Sequence, residues 1–298
     1  MAHSGKSMGG GLADLRRALS DSGFADVHWF EVPKSKKAPD RVREALDLGA
    51  KLVFVWGGDG MMQRCIDVLA GTDAILAILP AGTGNLLAHN LSIPETIEEA
   101  VRIGLEGDCR RLDTATANGE HFAVMAGAGL DALMIEEADA GLKDRFGRAA
   151  YLWTGARNLR ASPVRATVKV DGQRFYKGPI TCVLAGNMSK VLGGVNLFDG
   201  SEPDDGLLDV GVVTARGRLE WIRTIGRVVA GQPERSPFVD TTRGKKIKVV
   251  LDVPTRYELD GGARKATTTL KIQVHPGSVL VRVPAGSLTP SEPTGAQG

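Results

Sequence analysis

Leu12, Leu15 and Leu19 recur at the spacing that puts three side chains on one helical face, and Val42, Ala45 and Leu46 do the same after Pro39 and Asp40. Elsewhere in the first third the apolar positions gather into short continuous runs. Residues 51–56 (KLVFVW) and 74–79 (AILAIL) are each followed by a glycine cluster, as expected of strands buried on both faces of a parallel sheet. Beyond about residue 115 apolar and polar positions alternate, over 166–170 before an Asp-Gly turn and again over 208–212, 247–251 and 270–274. Two helical stretches interrupt this half, one over 143–159 and one with Leu219, Ile222, Ile225 and Val229 on a face. The pattern predicts an α/β domain followed by a second, mainly antiparallel β domain, with no internal repeat. The start is unusual. A parallel α/β domain commonly opens on an apolar strand, yet MAHSGKSMGGG leads directly into the first helix, so either that strand is missing from this chain or the sheet begins at 51–56.

A chain of 298 residues with 43% hydrophobic and 24% charged positions can fill two ordinary cores, which excludes coiled-coil, collagen-like and wholly disordered chains. Lys plus Arg (37) nearly cancel Asp plus Glu (35), and the net charge of +2 gives no reason to expect a nucleic-acid partner. The longest mainly apolar stretch, 122–135, is too short to span a bilayer and contains Asp131, so neither a transmembrane segment nor a signal peptide is expected. Cys65, Cys109 and Cys182 are odd in number and far apart, which argues against a disulfide frame or a zinc site and for reduced, cytoplasmic residues. The tail after Pro284, rich in Gly, Pro, Ser and Thr, is expected to be disordered.

Candidate chemistry concentrates behind the two apolar strands. Gly57-Gly58-Asp59-Gly60 separates the first from a helix carrying Ile66 and Leu69. Such a turn aims backbone N–H groups and the positive helix end at one point, where a phosphate binds; it also suits a plain tight turn using glycine for positive φ. The second strand ends alike, in Pro80-Ala81-Gly82-Thr83-Gly84-Asn85 before a helical LLAHNL. Two such turns at the carboxyl ends of neighbouring parallel strands mark the edge where open α/β sheets hold ligands. Thr83 offers a hydroxyl to a phosphate oxygen, Asn85 can fix its loop, and Asp59 can bind magnesium or take a proton. Ser4-Gly5-Lys6-Ser7 imitates the end of a P-loop but lacks its first glycine and its strand. His89 and His121 have no partner spacing and read as structural or solvated, Trp56 and Trp153 as core, and 143–148 (KDRFGR) as a solvated face.

The pair of loops, in this order and spacing, resembles the diacylglycerol kinase catalytic family, which includes bacterial lipid kinases and sphingosine kinases. Further matches carry the resemblance over most of the chain: Arg111-Leu112-Asp113 before Asn118-Gly119, then 127–132 (GAGLDA), 145–151 (RFGRAAY), Gly193-Gly194, 203–210 (PDDGLLDV) and 258–261 (ELDG). It implies transfer of the γ-phosphate of ATP, with Mg2+, to the hydroxyl of a diacylglycerol-like or related lipid presented at a membrane surface. The enzyme would be cytoplasmic, with attachment at the inner face of the membrane and a homodimer as options. An active site is expected in the cleft between a nucleotide-binding domain (1–115) and a β-rich lipid-substrate domain (116–284), followed by the tail (285–298). Gly57, Gly58, Asp59, Gly60, Met61, Met62, Gln63, Gly82, Thr83, Gly84 and Asn85 fall on the nucleotide loops. Asp205 falls on the aspartate of the family's structural magnesium site, where the backbone carbonyls of Glu202 and Leu207 would complete the protein ligands. Taken alone, Asp204-Asp205-Gly206 also fits an ordinary turn.

The chain departs from the family at several of these positions. Met61 stands where a threonine is usual, Gln63-Arg64 where asparagine-glutamate is frequent, and Leu86 where an aspartate often follows Asn85. Many members carry a glutamate, their proposed proton acceptor, where this chain has Gly262. Asp59, Asp113 and Asp260 are the carboxylates left for that role, Asp59 first. The alternatives are a kinase of a soluble substrate such as a nicotinamide dinucleotide, and a catalytically weak nucleotide-binding regulator.

Overall fold

A computed structural model of the chain describes residues 11–24, 27–129, 163–191, 195–198, 200–230, 232 and 235–287. The helix expected over 143–159, the 145–151 motif, Gly193-Gly194, the end of the 127–132 motif and 288–298 lie outside them.

The first half alternates as its periodicity predicts. Helices α1 (Leu12–Asp21) and α2 (Ala38–Asp47) precede β1 (Leu52–Gly57), α3 (Asp59–Leu69), β2 (Ile75–Pro80), α4 (Leu86–Asn90) and α5 (Ile97–Glu106). The leucine spacing in α1 does bury one face, with Leu15 and Leu19 against the core. Strands β1 and β2 pair in parallel from Leu52 opposite Ile75 to Gly57 opposite Pro80. Among the described residues β1 ends the sheet, and an apolar groove of about 280 Å³ borders it, lined by Leu19, Val27, Trp29, Phe30, Val53 and Phe54 among others.

The second half is mainly antiparallel: β3 (Asp108–Ala117), β4 (Glu120–Phe122), β5 (Met125–Ala128), β6 (Val164–Val170), β7 (Gln173–Ile180), β8 (Cys182–Gly186), β9 (Lys190–Val191), β10 (Val195–Asn196) and β11 (Leu208–Val213). Helix α6 (Arg218–Val229) then leads to β12 (Val239–Gly244), β13 (Lys246–Leu259) and β14 (Gly262–Val283). Three hairpins turn on an Asx-Gly pair with φ positive at both residues: Asn118 (50°) with Gly119 (94°), Asp171 (49°) with Gly172 (85°), and Asp260 (46°) with Gly261 (78°). That is the type I′ geometry, whose twist matches the flanking strands.

The halves share a sheet. Strand β14 is 22 residues long. Its start pairs with β13, from Gly262 opposite Leu259 to Gln273 opposite Lys246, and its later part pairs with β3. Beyond a register shift between His275 and Val279 it also runs parallel to β2, with Leu280 opposite Ile75 and Val281 opposite Leu76. Among the described residues the result is one mixed sheet of twelve strands with the backbone order β1-β2-β14-β13-β5-β8-β11-β12. One core lies under the helices and takes in Val279, Val281 and Val283 of β14; the other lies within the antiparallel part, around Val168, Leu208, Val210 and Val249.

Candidate active site

The two glycine loops leave the sheet side by side. Gly57 pairs with Pro80, and the Ala81 N–H donates to the Gly57 carbonyl at 3.1 Å. A Cβ on Gly58 would come within 2.9 Å of the Gly82 Cα, and one on Gly82 within 2.5 Å of the Gly58 Cα. Backbone pressed on backbone has no flexible end that can yield, so these glycines answer a need for space. Neither has positive φ, so the plain-turn reading does not account for them.

Asn85 fixes the second loop. It adopts the left-handed conformation (φ 46°) at the start of α4, accepts the Gly82 N–H at 2.8 Å, and donates from Nδ2 to the Gly82 carbonyl and to Glu95. Asp59 links the loops: its Oδ1 accepts the Leu86 N–H at 2.6 Å, and a Cβ on Gly84 would lie 2.7 Å from its Oδ2. Burial raises the Asp59 carboxyl above its ordinary pKa, against the pull of the Leu86, Asp59 and Asn85 amides. Thr83 is exposed at the loop tip. The Met61 and Met62 side chains enter the core, and their N–H groups close the first turn of α3 on the Gly58 carbonyl. Gln63, buried, donates to the His121 carbonyl at 2.6 Å and accepts from Arg264 at 3.1 Å, so its amide is engaged with the second domain.

The second domain holds a pair of buried acids beside the β13–β14 turn. Asp260 sits at the β13–β14 turn, and its carboxylate accepts the N–H groups of Ala123, Val124 and Met125 at 2.8–2.9 Å. Burial still raises its pKa to about 6, with the Asp59 charge adding to the rise. Glu258, 4% exposed, accepts the Gly261 N–H at 2.9 Å and is raised to about 7 by burial and then by Asp260. Gly262, where the family's glutamate would stand, has no left-handed φ; a Cβ there would meet Arg264 Nη1 at 2.9 Å and the Leu259 carbonyl at 3.2 Å. Arg264 itself pairs with Glu120 at 2.8 Å and donates to the Gly262 carbonyl at 2.9 Å.

Asp113 stands elsewhere. It is buried on β3, and its two oxygens accept the N–H groups of Gly206 at 2.6 Å and Gly277 at 2.7 Å, while its own N–H donates to the Pro203 carbonyl. It thereby clamps the 203–207 loop against the β14 register shift. In that loop Asp205 Oδ1 accepts the Leu207 N–H at 2.9 Å, and its Oδ2 is paired with the Arg243 guanidinium, which also meets Asp209 at 3.1 Å. Arg110 pairs with Asp204 at 2.8 Å. A magnesium ion needs carboxylate oxygens open to it, and both oxygens of Asp205 are engaged. No group of three or more metal-ligating side chains occurs among the described residues. Of the expected magnesium ligands Asp205, Glu202 and Leu207, the one that would bind through its side chain, Asp205, does not fit that ion as it stands, with one oxygen on an N–H and the other on a cation.

Sequence reasoning missed Glu95, Glu120, Arg243 and Arg264, whose partners lie 10, 144, 38 and 201 residues away along the chain. Only the ELDG and PDDG motifs hinted at the turns that these residues brace.

A sheet that joins a helix-covered parallel part to an antiparallel part, with paired glycine loops at the join, defines a kinase-type nucleotide-binding architecture. Two family models match the chain, the diacylglycerol kinase catalytic domain over residues 2–117 and the YegS C-terminal NAD kinase beta sandwich-like domain over 124–283. The chain belongs to this lipid kinase family and is a phosphotransferase. A protein of Pseudomonas aeruginosa PAO1 named "Probable lipid kinase YegS-like" is 31% identical over 257 residues, 85% of this chain and 83% of that one. A "Diacylglycerol kinase" of Mycobacterium tuberculosis H37Rv is 29% identical over 212 residues, 69% of this chain and 68% of that one. Among solved structures, a diacylglycerol kinase from Bacillus anthracis superposes with a TM-score of 0.72 at 24% identity, covering 95% of this chain and 94% of that one. An NAD kinase from Archaeoglobus fulgidus in complex with ATP reaches 0.51 at 10% identity, covering 93% and 90%, a likeness of fold alone.

Proposed function

We propose that the protein transfers the γ-phosphate of ATP to the hydroxyl of a diacylglycerol-like lipid presented at a membrane surface. The observation that carries this reading is the interlocked pair of glycine loops, Gly58 against Gly82, at the carboxyl ends of β1 and β2 beside Asp59. Gly57, Gly58, Gly60, Gly82, Thr83 and Gly84 would hold the nucleotide phosphates, with backbone N–H groups and the α3 start supplying positive potential. The nucleotide brings its own magnesium, which neutralises charge on the transferred group.

Of the three carboxylates weighed as proton acceptor, Asp59 fits best. Asp113 and Asp260 are almost wholly buried and spend both oxygens on backbone amides, whereas Asp59 is partly exposed and spends Oδ1 on the Leu86 N–H, leaving Oδ2 for a substrate proton. Asp113 and Asp260 then act as positioning residues, one for the 203–207 loop and one for the segment entering β5. The two-domain reading, with a nucleotide-binding part over 1–115 and a lipid-binding part over 116–284, goes with this division of labour. Free Cys65, Cys109 and Cys182 suit a reducing cytoplasmic setting. No described helix is long and apolar enough to cross a membrane; the lipid substrate is what would bring the enzyme to the inner membrane face.

The test is to incubate the protein with labelled ATP and either vesicles containing diacylglycerol or NAD in solution, and to read products by mass. Phosphorylated lipid supports the proposal. Phosphorylated NAD, or nucleotide binding without turnover on either acceptor, rejects it.

A further inference from the structure

The corner of the molecule that the resemblance assigns to a structural magnesium ion holds a protein cation. Asp209 and Arg243 are cross-strand partners, directly opposite on β11 and β12. From there the Arg243 guanidinium reaches Asp209 Oδ1 through Nε at 3.1 Å and Asp205 Oδ2 through Nη2, so one planar fork joins the loop aspartate to the strand aspartate. Asp205 Oδ1 is spent inside the loop on Leu207 N–H. The neighbouring acid, Asp204, is matched by a second guanidinium, Arg110, which approaches Glu202 as well. The middle of the loop is tied by Asp113 through Gly206 and Pro203, again without a metal. Each of these carboxylates therefore already has a positive or N–H partner supplied by the chain, and the one buried side-chain oxygen at this corner left without a hydrogen bond among the described residues is Asp209 Oδ2. A guanidinium gives this corner directional donors and one positive charge that no chelator removes.

We infer that Arg243 replaces the structural magnesium ion, so that the 203–207 loop is held by the protein's own charge and independently of divalent metal. This concerns stability alone and leaves the magnesium carried by the nucleotide untouched, so it does not depend on which acceptor is phosphorylated. Removing the guanidinium should uncover Asp205 and Asp209 as a pair of carboxylates, oxygen ligands of the kind magnesium takes.

The experiment measures the melting temperature without nucleotide, with and without millimolar magnesium at matched ionic strength, and the quantity read is the part of any shift that Asp205→Asn abolishes. In the wild type that part should be zero. In Arg243→Met it should appear as a saturable rise, roughly 2–4 °C at a few times Kd, and vanish in the Arg243→Met, Asp205→Asn double variant. Should Arg243→Met fail to fold, Arg243→Gln, which keeps a hydrogen-bond donor without the charge, takes its place. An Asp205-dependent magnesium shift in the wild type overturns the inference, and so does its absence from the folded Arg243 variant. Phosphoryl transfer can fail in either case without altering this reading.

Discussion

Replacing Glu258 with glutamine should stabilise the protein at neutral and alkaline pH, although Glu258 is hydrogen-bonded. Its carboxyl is 4% exposed, and burial with the adjacent Asp260 raises its pKa from 4.5 to about 7 in the folded state. The folded protein therefore holds the Glu258 proton more tightly than the unfolded chain does. Between those two values it binds more protons than the unfolded state, so stability falls as pH rises from about 4.5 to about 7 and levels off above. A shift of that size corresponds to roughly 3 kcal/mol lost by about pH 8. Glutamine keeps an oxygen to accept the Gly261 N–H at Glu258's 2.9 Å site and carries no charge. Its amide N–H groups must find partners in a buried place, at a cost of roughly 1–3 kcal/mol that does not vary with pH. The decisive quantity is therefore the difference in stability between Glu258→Gln and wild type across the pH range. Urea unfolding at steps from about pH 4.5 to 8 should show that difference rising in favour of the variant by roughly 3 kcal/mol. A difference that stays flat, or turns against the variant as pH rises, would refute the assignment of Glu258 as an acid strained by burial.

Three further outcomes are expected. Asp59→Asn should keep the Leu86 N–H acceptor and the fold yet reduce turnover by about two decades or more; near wild-type turnover in a coupled kinase assay removes Asp59 from the chemistry. Gly82→Ala should weaken nucleotide binding about tenfold or more and lower stability by roughly 1–3 kcal/mol, since its Cβ would lie 2.5 Å from the Gly58 Cα; an unchanged KM for ATP shows that the loops have slack. Gly262→Glu should fold, because its φ is not left-handed and only the end of Arg264 and, by a few tenths of an ångström, the Leu259 carbonyl must give, and should leave turnover nearly unchanged if Asp59 suffices. A gain of roughly two to four decades in that variant would instead identify a kinase that lacks its base.

The fold was legible where local chemistry decides it. The runs 51–56 and 74–79 became β1 and β2 with shifts of one residue, and Asn118-Gly119 and Asp171-Gly172 turned as their φ preferences require. The 247–251 and 270–274 windows caught only parts of β13 and β14, because Asp252, Pro254 and the charged 264–265 pair interrupt the apolar alternation, and the β13–β14 pairing itself shifts register between Val250 and Tyr257 before it resumes. The phosphate-type loops were also visible, but the reason for their glycines was not: it lies in the approach of Gly58 to Gly82, 24 residues apart. The roles of Asp113 and Gln63 were out of reach for the same cause, since Gly277, His121 and Arg264 meet them only after the second domain has closed on the first. Arg243 carries no motif at all.

Strand β14 sets the order in which the molecule can be made. The parallel pair β1–β2 receives its next neighbour, Leu280–Val281, only from the end of the described chain, and β3 is zipped to the same strand from Ile272 to Val283. A ribosome that has delivered the nucleotide loops has thus produced a half-sheet with one flank open, and Gln63, behind the first loop, meets Arg264 only after residue 264 has emerged. Cutting the chain between its two family matches would leave an N-terminal fragment without its third strand, and such a fragment should aggregate when expressed alone.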